Sequence, residues 1–270
     1  MTHSTDIYFP TTETEKYFIK SIWRLQEFNN HNLTETILPK GTVELIFNLS
    51  DKIIYLNSVA DVRTTLPPCF INGINFKPFQ LIKNGQQLFV GIQLNVIALK
   101  ALFEIPAMEF NDAIVESSQV CKPLSDLYNQ LFSERAFERQ VQIIRKWLYH
   151  KISTSRYLAA LQKFYNWFYF PNVNTMTVKE LGNRACISER QLRRITTEWL
   201  GMNTEAFLLY NKYLSSLHLL HSSDLSLTQI GLEAGYYDQS HFIREFKSYT
   251  DLTPKEYQAS VTGLPGHIFG

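Results

Sequence analysis

Two groups of side chains in the C-terminal part of the chain are of the types that grip nucleic acid. Arg190, Arg193 and Arg194 form the first, and Gln239, Ser240, Ile243, Arg244 and Lys247 form the second, about fifty residues further on. A guanidinium is a planar fork that can pair with guanine O6 and N7 together, or clamp a phosphate. A Gln amide can do the same on adenine N6 and N7, while Arg244 and Lys247 suit guanine or phosphate. Such chemistry needs the side chains on one exposed face. In residues 188–199, Leu192, Ile195 and Trp199 recur at helical spacing and must face a core, which leaves Arg190, Arg193, Arg194 and Thr197 on or near the opposite side. In residues 238–249 the apolar stripe is Phe242, Phe246 and Tyr249, and the second group lies beside or outside it. Either helix alone would be an ordinary bundle helix with a basic face. The pair is informative because its flanks match.

The elements that must position these faces are announced by their start signals. Thr177-Val-Lys-Glu180, Ser188-Glu-Arg-Gln191 and Ser226-Leu-Thr-Gln229 each place a hydroxyl three residues before a Glu or Gln. That spacing allows the reciprocal hydrogen bonds of a capping box. Thr253-Pro254 adds a cap followed by a proline at the first helical position. The spacing predicts a helix over 178–185, a turn at Cys186-Ile187 and a second helix over 188–199. It predicts the same again over 227–234 and 238–249, with one long helix over 204–221 between the pairs. Two helix-turn-helix units joined by a long helix would present two groove-reading helices.

At this level of detail the sequence resembles a known family. Ile230-Gly-Leu-Glu-Ala-Gly-Tyr-Tyr-Asp-Gln-Ser-His-Phe-Ile-Arg-Glu-Phe-Lys247, followed by Leu252-Thr-Pro-Lys-Glu-Tyr257, is similar to the signature of the AraC/XylS family of bacterial transcription regulators. Ala185-Cys-Ile-Ser-Glu-Arg-Gln-Leu-Arg-Arg-Ile195 and Trp199-Leu-Gly-Met202 resemble that family's first helix-turn-helix. The likeness covers about residues 174–259. It implies that Arg190, Arg193 and Arg194 meet DNA from the first unit, and Gln239, Ser240, Ile243 and Arg244 from the second. Four positions depart from the pattern. Cys186 stands where a turn glycine is frequent, so the turn either avoids the left-handed region or carries modest strain. Gly231 replaces a usual alanine, which costs about 1 kcal/mol of helix propensity but permits close packing. Thr204 replaces a frequent proline, and Asp251 a common glycine.

The first half reads differently. Residues 42–49 and 53–56 are short β-branched and aromatic runs separated by Ser50-Asp51-Lys52, a hairpin-like signal. Residues 69–76, 79–83 and 87–94 are further strand candidates, with Asn84-Gly85 as a turn between the last two and Gly73 as another turn. Helical periodicity begins at Val96 and runs through 96–103, 124–132 and 136–170. Pro171 cannot continue that last helix, so the domain boundary is expected at 170/171. The expected fold is α+β. A β-rich small barrel or sandwich (7–95) with trailing helices (96–170) makes up domain 1–170, and an all-α double helix-turn-helix makes up domain 171–270. Leu38-Pro-Lys-Gly-Thr-Val-Glu-Leu-Ile-Phe-Asn-Leu49, with Tyr8-Phe-Pro10 and Ile22-Trp23, is similar to sensor-like domains found before this reader, over about 7–116. The resemblance implies effector binding or dimerisation, and Trp23, Phe47 and Tyr55 are the candidate lining of an effector pocket. Glu44 could anchor a ligand on a sheet face, although strand alternation between Val43 and Leu45 would turn it outward.

Composition narrows the alternatives. The chain has 270 residues, 45% hydrophobic and 19% charged, with a formal net charge of +1. Residues 172–260 hold nine Lys/Arg against ten Asp/Glu, so DNA binding would rest on local placement of charge and not on a basic domain. Residues 122–163 hold eight Lys/Arg against three Asp/Glu, read as a solvated face or a phosphate or partner contact. Cys69, Cys121 and Cys186 form no disulfide framework and no metal-type pair, which fits a reducing cytoplasm. His218 and His221 lack a third ligand nearby, so no metal site and no cofactor are expected. No signal peptide, membrane span, nucleophile motif or phosphate loop is read, and no catalytic residue is named. The expected function is a sequence-specific DNA-binding transcription regulator, not an enzyme. Its expected partners are double-stranded DNA, RNA polymerase, a small-molecule effector and a second copy in a homodimer. The alternative is a small-molecule-binding or enzymatic N-terminal domain with a helical protein-interaction tail.

Overall fold

The computed structural model describes residues 2–50, 52–57, 62–260 and 266–269. Its strands are β1 (Thr2–Tyr8), β2 (Ile19–Ile37), β3 (Val43–Asn48), β4 (Ile54–Asn57), β5 (Val62–Thr65), β6 (Cys69–Asn72), β7 (Phe79–Leu94), β8 (Ile114–Glu116) and β9 (His267–Phe269). They pair antiparallel in the order β1-β2-β7-β3-β6-β8, with β4 on β7, β5 on β4 and β9 on β2. Strand alternation gives this sheet two buried faces. Ile22, Val43, Leu45, Phe47, Ile71, Val90, Ile92 and Leu94 face the helices and join the main core. Ile37, Phe70, Phe79, Leu81 and Phe89 form a second cluster on the other side, with Trp23, Leu25 and Ile46 packed against it.

Three local expectations change here. Asn84-Gly85 is not a hairpin turn, because β7 runs through it with Gly85 at φ +75°. The register moves from Asn29↔Gly85 to Leu33↔Lys83, so β2 bulges there and both long strands bend together. Ser50-Asp51-Lys52 does not join a hairpin (Asp51 lies outside the described residues). β3 bonds residues 89–94 of β7 and β4 bonds residues 80–82, since β7 is long enough to carry both. Gly73 is a close approach, with an added Cβ falling 1.6 Å from the Phe110 carbonyl oxygen.

The helices of the first half are α1 (Glu13–Phe18), α2 (Ala98–Phe103), α3 (Ser117–Val120), α4 (Pro123–Ser133), α5 (Phe137–Thr154) and α6 (Leu158–Phe168). The stretch 136–170 is two helices, broken where the Ser155 hydroxyl turns to the Ala101 carbonyl at 2.8 Å. Part of the basic excess of 122–163 is consumed locally: Arg145 pairs with Glu15 at 2.7 Å and Arg156 with Glu104 at 2.7 Å.

After a turn in which Asn172 takes φ 64°, the chain forms α7 (Val178–Ala185), α8 (Glu189–Leu200), α9 (Thr204–Ser222), α10 (Leu227–Glu233), α11 (Gln239–Thr250) and α12 (Pro254–Ala259). The long helix α9 is the axle of this part and also its attachment to the sheet. Tyr213, fully buried, donates to the Pro39 carbonyl at 2.8 Å. The Tyr210 hydroxyl accepts from Gly41 N at 3.1 Å and donates to the Asn75 carbonyl at 2.9 Å. β9 then returns from beyond α12 to pair with β2, so the chain crosses between its two halves twice.

Candidate nucleic-acid interface

Each helix of the two units begins as its sequence demands. Thr177, Ser188 and Ser226 accept from the N3 backbone N–H while Glu180, Gln191 and Gln229 reach back to the cap. Thr253 and Glu256 complete a fourth such box in this half. The N–H groups of Thr177 and Thr253, with their hydroxyls, hold the Glu180 and Glu256 carboxyls below the usual carboxylate range. In the first turn Cys186 does enter the left-handed region, at φ 54° and ψ 40°, so the strain alternative holds. In the second, Gly235 takes φ +88° and Lys212 Nζ caps its carbonyl at 2.6 Å. Gly231 lets α10 close on α11, because a Cβ there would sit 3.3 Å from Phe242 Cβ. Thr204 is buried with its hydroxyl 3.1 Å from that of Thr196, and Asp251 ends α11 at φ 60°.

These anchors fix which faces turn out. In α8, Leu192, Thr196 and Trp199 are buried, Ile195 is half-buried, and Arg190, Arg193 and Arg194 are exposed. Arg193 is held by Glu205 across the start of α9 at 2.7 Å. Arg190 and Arg194 have no acidic group within ion-pair distance among the described residues. In α11, Phe242 and Phe246 are buried, Ser240, Arg244 and Lys247 are exposed, and Gln239 and Ile243 are half-buried. Arg244 Nε lies 3.5 Å from Glu245, and Gln239 Oε1 accepts from Thr228 at 2.9 Å. Gln239 thus has one of its carbonyl's two acceptor positions taken by Thr228.

The sequence reading missed two features of this surface. Tyr237, between buried Tyr236 and the cap Asp238, is 89% exposed and stands beside the N-terminus of α11. It falls in the turn, outside any helical stripe, and only the surplus of aromatics over core positions could have marked it. The N-terminal half also reaches α8. Pro106 and Met108 border a shallow groove with Arg190, Arg193, Arg194, Thr197 and Glu198. Asn111 Nδ2 donates to the Gly201 carbonyl at 2.7 Å, just past the end of α8.

The curled sheet also forms a cavity of about 330 Å³, partly open to solvent, in the β-rich half. Trp23 lines it. Phe47 does not: it alternates with Ile46 and points to the helix-side core, where it is fully buried. Tyr55 is packed on Phe79 in the second cluster, ring centroids 5.5 Å apart, and is not among the lining residues. Glu44 is turned inward instead of outward, 6% exposed and on the cavity wall, because both faces of this sheet are covered. Beside it runs a buried polar chain. Lys83 pairs with Glu35 at 2.6 Å and Glu27 at 3.3 Å. His267 of β9 contacts Glu35 through Nδ1 at 2.5 Å and Lys40 through Nε2 at 3.0 Å. A lysine ammonium only donates, so Nε2 accepts and the ring proton sits on Nδ1 facing the carboxylate.

Comparison with known proteins follows the same division. A family described as a helix-turn-helix domain matches residues 181–260, and a domain of unknown function matches residues 13–116. An uncharacterized HTH-type transcriptional regulator of Haemophilus influenzae is 34% identical over 89 residues, 33% of this chain and 30% of that protein. The HTH-type transcriptional regulator ArgR of Pseudomonas aeruginosa is 28% identical over 81 residues, 30% of this chain and 25% of that protein. The chain thus matches less than a third of the length of either. ToxT from Vibrio cholerae is 13% identical with a TM-score of 0.47, over 97% of this chain and 99% of that one. The DNA-binding domain of AdpA in complex with a target DNA is 24% identical with a TM-score of 0.30, over 31% of this chain and 76% of that one.

Proposed function

We propose that this chain, whose C-terminal part is a helix-turn-helix domain of the AraC type, is a sequence-specific transcription regulator acting on double-stranded DNA in a bacterial cytoplasm. One observation carries the reading: two capped helix pairs, α7–α8 and α10–α11, turn Arg190, Arg193, Arg194, Ser240, Arg244 and Lys247 outward while their apolar stripes are buried. Two such helices reading one face of B-DNA meet successive major-groove segments about 34 Å apart. Phosphate contacts from helix N-termini and nearby side chains fix the register, and Arg194, Arg244, Gln239 and their neighbours read bases. In this role the chain performs no reaction of its own. Among the described residues no helix is long and apolar enough to cross a membrane.

We divide the chain at 170/171 into a sensor and this reader. The cavity supports a small-molecule effector as the signal, since its wall includes His267 of β9, which lies beyond α12 in the reader's part of the sequence. A homodimer and contact with RNA polymerase belong to the same proposal through the family resemblance alone. The test is selection of the full chain on a randomised duplex library at two salt concentrations. The expected result is an enriched site with two elements about 10 base pairs apart, bound more weakly as salt rises. No enriched sequence would overturn the proposal.

A further inference from the structure

The cavity in the sheet holds one buried carboxylate, Glu44, that no cation contacts directly among the described residues. Glu44 lies in a polar row that crosses three strands and reaches a fourth: Ser21 pairs with Gln93, Gln93 with Glu44, and Glu44 with Asn72. Gln93 Nε2 donates to Glu44 Oε1 at 3.4 Å, and the Ser21 hydroxyl donates to Gln93 Oε1 at 3.2 Å. Among the described residues no cation is within ion-pair distance of Glu44, although it is only 6% exposed. The other two cavity carboxylates, Glu27 and Glu35, share Lys83. Of the nearby cations, Lys40 on the same wall donates to the His267 ring, and Lys20 reaches the Gly41 carbonyl at 3.5 Å and acts on Glu44 through space without touching it. A buried carboxylate that lacks a direct ion pair is a place where a ligand's charged group can gain a contact.

The rest of the wall indicates what kind of molecule would supply the partner. Trp23, Phe70, Phe79 and Phe89 line the space with Leu25 and Ile46. Gly91 makes room for the Trp23 indole, since a Cβ there would fall 2.2 Å from the ring. The indole N–H is buried and has no acceptor among the described residues. Aromatic faces next to a lone carboxylate suit a cation, which gains from both. We propose that this cavity binds a small ammonium compound with an aromatic or branched apolar body, its charged end on Glu44 and its body against Trp23 and Phe70. The inference rests on the effector-site reading above and adds the ligand's chemical class.

Calorimetry on the full chain at neutral pH, with 2-phenylethylammonium, 2-phenylethanol and 3-phenylpropionate as probes, tests it. The ammonium should bind at least about ten-fold more tightly than the alcohol, which corresponds to about 1.4 kcal/mol, and the carboxylate more weakly than either. Glu44→Gln should erase the advantage of the ammonium while leaving the alcohol unchanged, and should not lower the melting temperature of the ligand-free protein. Preference for phenylpropionate, an ammonium advantage that survives Glu44→Gln, or no binding of any probe overturns the inference. The comparison among probes on the native chain needs no variant to fold. DNA selection with the same protein separates the two readings. An enriched site with no ammonium binding refutes only the ligand class, and ammonium binding with no enriched site refutes the regulator.

Discussion

Substituting Arg194 is the sharpest perturbation of the proposed interface. Its guanidinium is exposed on α8 and has no acidic partner among the described residues, so Arg194→Ala removes no contact that the fold uses. Stability should change by less than about 0.5 kcal/mol. A lost bidentate base contact costs about 1–3 kcal/mol, which is a rise in Kd of about 5- to 150-fold on the selected site. Arg193 supplies an internal control. It is held by Glu205 at 2.7 Å, with 62% and 52% of the two side chains exposed, and must give up that pair to reach DNA. A solvent-exposed pair of this kind is worth about 0.2–1 kcal/mol, so Arg193→Ala should cost that much less than Arg194→Ala. Glu205→Gln, which frees Arg193, should tighten binding by up to about five-fold. Fluorescence anisotropy with a labelled duplex, and with duplexes changed one base pair at a time, measures all three. Arg194→Ala should also relax discrimination at one base pair. An unchanged Kd for a folded Arg194→Ala protein, or a larger loss for Arg193→Ala, would refute the assignment of this face.

Three further outcomes follow from the structure. Cys186→Gly should raise stability to urea by about 1 kcal/mol, because φ 54° is a region that only glycine enters freely; a loss of stability would show that the thiol makes a needed contact. Tyr213→Phe leaves the buried Pro39 carbonyl without its donor and should cost about 1–3 kcal/mol in thermal or urea unfolding, an effect absent if the two halves melt independently. The cavity cluster should also make the protein sensitive to acid. Burial pushes the Glu35 carboxyl up, but the hydrogen bond from His267 and the charge of Lys83 outweigh it and hold the group at about 2, against an ordinary 4.5. Its ionised form therefore stabilises the fold fully above about pH 4.5, and a contribution of order 3 kcal/mol is lost as pH falls toward 2. His267 is pushed below its ordinary 6.5 by burial and by Lys40, so the unfolded chain takes up a proton first below that pH, with the same sign. Melting temperature should be flat above about pH 6.5 and fall below it, and Glu35→Gln should remove much of the fall beneath pH 4.5.

Local signals decided the helix-turn-helix part. Capping hydroxyls, a proline at the first helical position and a 3.6-residue stripe act within one helix, and the expected 178–185 coincides with α7 while 188–199 and 238–249 are each within one residue of α8 and α11. Its exposed arginines were legible for the same reason: a helix whose stripe is Leu192 and Trp199 has only one side left for them. The sheet was harder. β2 is 19 residues long, yet its alternation carries Ser21, Glu27 and Glu35 on the inner face, where a sequence reading expects apolar side chains. Those residues are tolerable only because Lys83, His267 and Gln93 reach them from other strands.

The same distinction separates the two sites. By itself the sequence determined the helix pairs, their turns and the side chains they present, because each rests on hydrogen bonds and packing within about twenty residues of chain. Only the tertiary structure decided that Phe47 faces the core, that Glu44 faces a cavity and that the last strand closes the wall beside it. Which side of a strand is inside depends on what covers each face, and here both faces are covered. The cover over Glu44 includes His267, 223 positions away in the chain, at a distance that no local pattern records.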